Sequence, residues 1–221
     1  MITEEPNVLR TMNNLGMLYW QMERDDEAEP LFRELLRRRR SLQGDEDDDT
    51  IGTMSNLAIV LKRQGKTEES RQLATTAHEK YRKVLGEEHP RTLNALNNLA
   101  DLEMERGNAD LSVELTRRTL KGRRNSLGPD HPQTLITMTR LADALRKMGD
   151  ANAAEAAYRE ALEAHRRALG ASHDQTVDVT RKLADFLGAQ RRHGESASLV
   201  EGLRNGATKP EAAGEDPGNR P

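Results

Sequence analysis

The residues best suited to chemistry are six histidines, three of which, His89, His131 and His173, stand forty-two positions apart. Imidazole can bind a metal ion or pass a proton near neutral pH. A shared ion needs all its ligands in one coordination sphere, and side chains one structural repeat apart are too distant for that. His78, His165 and His193 have no ligand spacing either. No phosphate-cradling GxxxxGK(S/T) loop, HExxH helix or GxSxG elbow occurs. There is no cysteine, hence no thiol nucleophile and no disulfide framework. Asp and Glu total 37, but they are scattered over surfaces without an apolar pocket to raise a pKa. The expectation is a chain with no catalytic residue, metal or cofactor, and so not an enzyme.

Two other groups of residues keep the same spacing. Arg37–Arg40, Arg82-Lys83, Arg123-Arg124 and Arg166-Arg167 share one phase, as a phosphate-binding patch would. No aromatic residues are interleaved to stack on bases, and the net charge is −3. A solvated face is the better account, so neither nucleic acid nor membrane is expected as a partner. The second group is Asn13-Asn14, Asn56 and Asn97-Asn98, continued by Arg140 and by Arg181-Lys182. An amide donates and accepts at once, so asparagines in register suit the backbone of an extended peptide. The alternative is that they bridge neighbouring repeats. Asparagine is a middling helix former, and surface polarity alone more often selects Glu or Lys.

The elements that would position these residues are themselves repeated. LGEEHPRTLNALNNLADLEMERGNA from Leu85 returns as LGPDHPQTLITMTRLADALRKMGDA from Leu127, and a weaker copy starts at Leu169. Two more lie upstream, from Glu5 and Gln43, making five units at one spacing. Leu15, Leu57, Leu99, Leu141 and Leu183 form one column, followed directly by Gly16, Ala58, Ala100, Ala142 and Ala184. A second small column, Ala28, Ser70, Ser112, Ala154 and Ser196, lies twelve residues on. Small residues on both segments let two helices approach closely, and Gly65, Gly107 and Gly149 sit where the first must end. Each unit therefore reads as two antiparallel helices, with repeats starting near 6, 48, 90, 132 and 174. An array spans residues 1–204. The polar segment 205–221 has too little apolar surface to offset its ordering entropy and is expected to be disordered.

The connector LG-x-x-HP-x-TL at 85–93 and 127–135, with EAEPLFRELLRRRRSLQG from Glu27, resembles the tetratricopeptide repeat in the forty-two-residue form of kinesin light chains. The resemblance covers residues 5 to about 204. Repeat two has Asp47-Asp48 in place of His-Pro, and repeat five has Asp174 for the proline, so weaker helix caps are expected there. The resemblance implies an all-α, right-handed superhelical solenoid of about five antiparallel helix pairs. Its first helices would line a concave groove and its second helices the convex side.

On that geometry the groove residues are Asn13, Asn14, Asn56, Asn97, Asn98, Arg140, Arg181 and Lys182. The asparagines would hold a peptide backbone and the cations would favour an acidic segment. Asp101, Asp143 and Asp185, three residues after Asn98, Arg140 and Lys182, could pair part of that charge locally. A chaperone-type carboxylate clamp is not expected, because its second asparagine position holds Met17, Ile59 or Asp. Tyr19 and Trp20 end the first helix, either as a ligand anchor or as a cover for the open end.

The expected function is a protein-interaction module that binds a peptide segment of a partner. Two alternatives are a scaffold that self-associates through uncapped array ends and the regulatory array of a larger signalling enzyme. The N-terminus lacks a signal-peptide core and no run approaches a spanning helix, so a cytoplasmic location is expected.

Overall fold

The structure, a computed structural model, describes residues 5–207. Among these are ten helices and no strand: α1 (Glu5–Gln21), α2 (Asp25–Gln43), α3 (Asp48–Arg63), α4 (Thr67–Leu85), α5 (Pro90–Glu105), α6 (Ala109–Leu127), α7 (Pro132–Met148), α8 (Ala151–Leu169), α9 (Asp174–Ala189) and α10 (His193–Ala207). They form a solenoid of five antiparallel pairs. Each helix packs chiefly on the one before and the one after it, and α3 also touches α5. No helix among the described residues is long and apolar enough to cross a membrane. The fifth pair ends in a helix that runs to Ala207, three residues past the expected limit of the array. The remainder of the tail lies outside the described residues.

Local chemistry sets the helix ends. Gly65, Gly107 and Gly149 take φ of 74°, 84° and 91° between the helices of repeats two, three and four. Glu23 and Arg191 hold the same position in repeats one and five at φ of 58° and 63°. A non-glycine residue there costs about 1–2 kcal/mol, which the flanking helices must over-determine. At the helix starts, Nδ1 of His89, His131 and His173 accepts from the backbone N–H of Arg91, Gln133 and Gln175, at 3.2, 3.1 and 3.2 Å. These histidines are helix caps.

The caps expected to be weak are intact. Asp47 accepts from the N–H groups of Asp49 and Thr50 at 3.0 and 3.1 Å, one more backbone donor than each histidine satisfies. A carboxylate beside the positive end of a helix suits the position as well as imidazole does. In repeat five, His173 caps without the following proline.

The two small columns face each other inside each pair. Ser70 Oγ donates to the Ala58 carbonyl at 2.6 Å, which fixes α4 against α3. In the first pair, a Cβ on Gly16 would come within 2.9 Å of the Phe32 ring. Glycine there makes room for the aromatic, whereas Ala58 in repeat two faces a helix carrying the smaller Ala74. The core is accordingly segmented. One apolar cluster runs from Leu9 to Tyr81 with Ala95, another from Val113 to Leu187, and two small separate ones lie around Leu96 and Leu102. Thr92, Ser112, Thr116 and Thr119 are buried between the two large clusters.

Ion pairs tie each repeat to the next on the outside: Arg33 to Glu69 at 2.7 Å, Lys66 to Glu29 at 2.6 Å and Arg159 to Glu195 at 3.1 Å. Such exposed pairs contribute little individually, but they recur in register. The run Arg37–Arg40 splits three ways. Arg37 and Arg38 bond Glu34, Arg40 bonds Asp45, and Arg39 turns inward.

Candidate functional site

Two adjoining recesses run along the first helices. The N-terminal one, about 520 Å³, is lined by Asn13, Asn56, Asn97 and Asn98 from α1, α3 and α5, with Arg39, Tyr81, Arg91, Asn94 and Arg123. The C-terminal one, about 620 Å³, is lined by Asp101, Asp143, Asp174, Asp178, Lys182 and His165 among others. Arg140 lines both. Six of the eight residues assigned to the groove from sequence thus meet there. Asn14 and Arg181 are exposed and line neither recess.

The asparagines are unengaged. Asn97 is 7% exposed, and the side chains of Asn13, Asn56, Asn97 and Asn98 make no hydrogen bond among the described residues. The bridging account of these residues therefore has no contact to rest on.

The charge is distributed otherwise than expected. Arg140 and Lys182, read as selectors for an acidic ligand, are paired by the preceding repeat: Arg140 with Asp101 at 2.6 Å, Lys182 with Asp143 at 2.7 Å. The partner lies thirty-nine residues back, not three residues along the same helix. Asp143 also accepts from the Tyr158 hydroxyl at 2.5 Å, and burial followed by this carboxylate raises the Tyr158 pKa. With Asp174 and Asp178 beside them against one further cation, Lys147, the C-terminal recess is the more acidic half.

The basic half is the N-terminal recess, to which the second helices contribute Arg39 and Arg123 and the first helices Arg91 and Arg140. Arg39 donates to the Asp49 carbonyl at 2.8 Å and to Thr53 Oγ1 at 2.7 Å, with the Asp49 carboxylate at 3.5 Å. Arg91 pairs with Asp48. Arg123 is 4% exposed and has only neutral partners: the Gln133 carbonyl at 3.1 Å, Thr137 Oγ1 at 2.5 Å and Asn94 Oδ1 at 2.6 Å. Burial, with Arg140 adding to it, lowers its pKa from the usual guanidinium value. A buried cation without a counter-ion is costly and makes the recess a place where an anion gains.

Reading Arg123-Arg124 as one solvated patch missed these residues. Consecutive helical side chains point about 100° apart, so Arg124 reaches Glu160 outside at 2.5 Å while Arg123 turns inward. The detectable sign was a further column at the repeat spacing, Arg39, Tyr81, Arg123 and His165. Trp20 packs under the Arg63 guanidinium, 5.6 Å from the ring centroid, and its carbonyl accepts from Arg63 at 3.0 Å. It ties repeat one to repeat two.

Two profiles described as tetratricopeptide repeat match the sequence, one over residues 49–103, 92–167 and 137–201 and the other over 8–49. A solved structure from Podosopora anserina, described as a kinesin light chain with nearly identical TPR-like repeats, superposes with a TM-score of 0.82 at 22% identity, covering 94% of this chain and 99% of that one. BtubC (BKLC) from P. vanneervenii superposes at 0.78 with 17% identity, covering 94% and 84%. A Rap protein complexed with Competence and Sporulation Factor superposes at 0.67 with 12% identity, covering 87% and 52%. These likenesses concern the fold. No curated protein matches the sequence.

Proposed function

The chain belongs to the tetratricopeptide repeat family, and from that premise we propose that it is a protein-interaction module which captures an extended peptide segment in its concave groove. Asn13, Asn56, Asn97 and Asn98 hold the backbone of the segment, each amide offering a donor and an acceptor. An acidic side chain or terminal carboxylate of the ligand sits in the N-terminal recess against Arg123, with Arg39 and Arg140 nearby. The observation that carries this reading is the juxtaposition of Arg123, buried without a carboxylate, and asparagines without partners. The acidic C-terminal recess sets the direction of the ligand by favouring a basic residue there. Binding of protein, without nucleic acid and without chemistry on the ligand, accounts for the features of the groove. A Rap protein of the same fold was solved with Competence and Sporulation Factor bound, which supports a ligand-binding use of this architecture.

The test is selection of a random-peptide library on the immobilised full chain, followed by titration of the selected peptide in solution. The Asn56→Ala/Asn98→Ala double variant is expected to bind at least about tenfold more weakly, the loss of two or more hydrogen bonds. Unchanged affinity in that variant would remove the groove from consideration.

A further inference from the structure

We propose that the solenoid associates head to tail, α10 of one copy packing on the bared face of α1 of the next and repeating the junction that joins successive repeats within the chain. Val8, Leu15 and Leu18 of α1 are 40%, 38% and 49% exposed. They form one stripe along the helix, and in the later repeats their positions are buried except at Leu99, which is partly exposed. Thr50, Thr92, Thr134 and Thr176 stand at the Val8 position and are at most 1% exposed. Leu57, Leu141 and Leu183 at the Leu15 position, and Val60, Leu102, Ala144 and Phe186 at the Leu18 position, are all buried. What differs is the preceding repeat, which packs on these positions inside the array and has no counterpart before α1 among the described residues. Inside the array Leu57 and Val60 share a core with Phe32 and Leu35 of α2, and Leu183 shares one with Tyr158 and Leu162 of α8. The interior therefore states what covers the stripe: the second helix of a repeat.

The other end carries that second helix with its own side bared. Val200 of α10 is 38% exposed, whereas Phe32, Ala74, Thr116 and Tyr158 at the same position are all buried. Leu203 is half-buried, whereas Leu35, Ala77, Thr119 and Ala161 are closed. The bared face of α1 and that of α10 are thus, among the described residues, the two halves of one interface. A contact between unlike surfaces of identical copies does not close on itself unless a ring forms, and it builds a linear stack.

The charged rim predicts how tight the junction is. Within the chain the pair Arg33–Glu69 and its counterpart Arg159–Glu195 clamp neighbouring repeats. At the junction between copies the same positions are Glu201 and Glu27, like charges. Where Asp101 meets Arg140 and Asp143 meets Lys182 inside the chain, Asp185 would meet Asn14 of the next copy. Apolar burial drives the association and the rim opposes it, so it is weak and strengthens with salt.

The experiment is sedimentation of the full chain over a concentration series, with far-UV circular dichroism to verify each variant. Mass is expected to rise with concentration, and Leu18→Asp and Val200→Asp, both at exposed positions, each to leave a monomer. Mixing those two variants should give a dimer and nothing larger, because one sound α10 meets one sound α1. Glu201→Arg should raise the association constant roughly three- to tenfold by recreating the interior ion pair with Glu27. A monomer at every concentration for both wild type and Glu201→Arg would overturn the proposal. So would a mixture that stays monomeric, or association that Leu18→Asp abolishes and Val200→Asp spares, the mark of a symmetric α1-to-α1 dimer.

Discussion

Arg123 donates to the side-chain oxygen of Asn94 at 2.6 Å, so a buried guanidinium reaches from a second helix to a first helix and meets an amide where an acid would neutralise it. Exchanging it for methionine leaves no buried group stranded, since Thr137 Oγ1 still donates to the Gln133 carbonyl at 2.7 Å. Arg123→Met is therefore expected to alter unfolding stability by less than about 1 kcal/mol. Affinity for a library-selected acidic peptide should fall at least about tenfold. Urea unfolding and peptide titration on the same variant separate the two. A large loss of stability with unchanged affinity would make Arg123 a purely structural residue.

Gly16 and Phe32 form a coupled pair. Alanine at position 16 gains about 1 kcal/mol in helix propensity but meets the ring within 2.9 Å, and overpacking costs about 1–3 kcal/mol. Gly16→Ala alone is expected to destabilise the protein or leave it level. In a Phe32→Leu background the same change should stabilise it by about 1 kcal/mol. A double-mutant cycle by chemical denaturation reads the sign reversal.

The cap at Asp47 bears on stability directly. Removing its carboxylate strands the N–H groups of Asp49 and Thr50. Asp47→Ala should cost about 0.5–2 kcal/mol, and Asp47→Asn should restore most of it. Thermal and urea unfolding of the three proteins decide the point.

Acid should weaken the fold through two histidines. Burial lowers the His78 pKa, with Arg118 and Arg82 adding to the effect, and burial likewise lowers that of His165. A depressed imidazole pKa means that the unfolded chain binds protons the folded chain refuses. The stability these groups contribute is complete above the ordinary imidazole value of about 6.5 and is lost as pH falls through it. The unfolding free energy is expected to drop between about pH 7 and pH 5. Replacing both residues with glutamine should flatten that slope, as measured by urea titrations across the range.

The columns of leucine and small residues were legible in the sequence because each is set by packing that repeats. Leu57, Leu141 and Leu183 are buried at the places their spacing implies. The glycine turns were legible for the same reason, but Glu23 and Arg191 take a left-handed conformation that no residue type announces. Asp47 looked like a lost cap because its neighbours in the column are histidines, although both side chains present an acceptor to the same donors. The groove was half legible. Asn56 and Asn98 stood out by residue type, whereas Arg39 and Arg123 were hidden in basic runs whose members point in different directions. Pairing of Arg140 with Asp101 joins adjacent repeats, a contact that distance along the chain conceals.

Because each helix leans chiefly on its immediate neighbours, trouble in one place has few ways to spread. A nick in the connector between two pairs severs one seam and spares the others. Loss of a terminal pair uncovers a single face, and insertion of another forty-two residues asks only that the newcomer match what stands on either side. Such a molecule can be lengthened or shortened by whole units while every remaining joint keeps its shape.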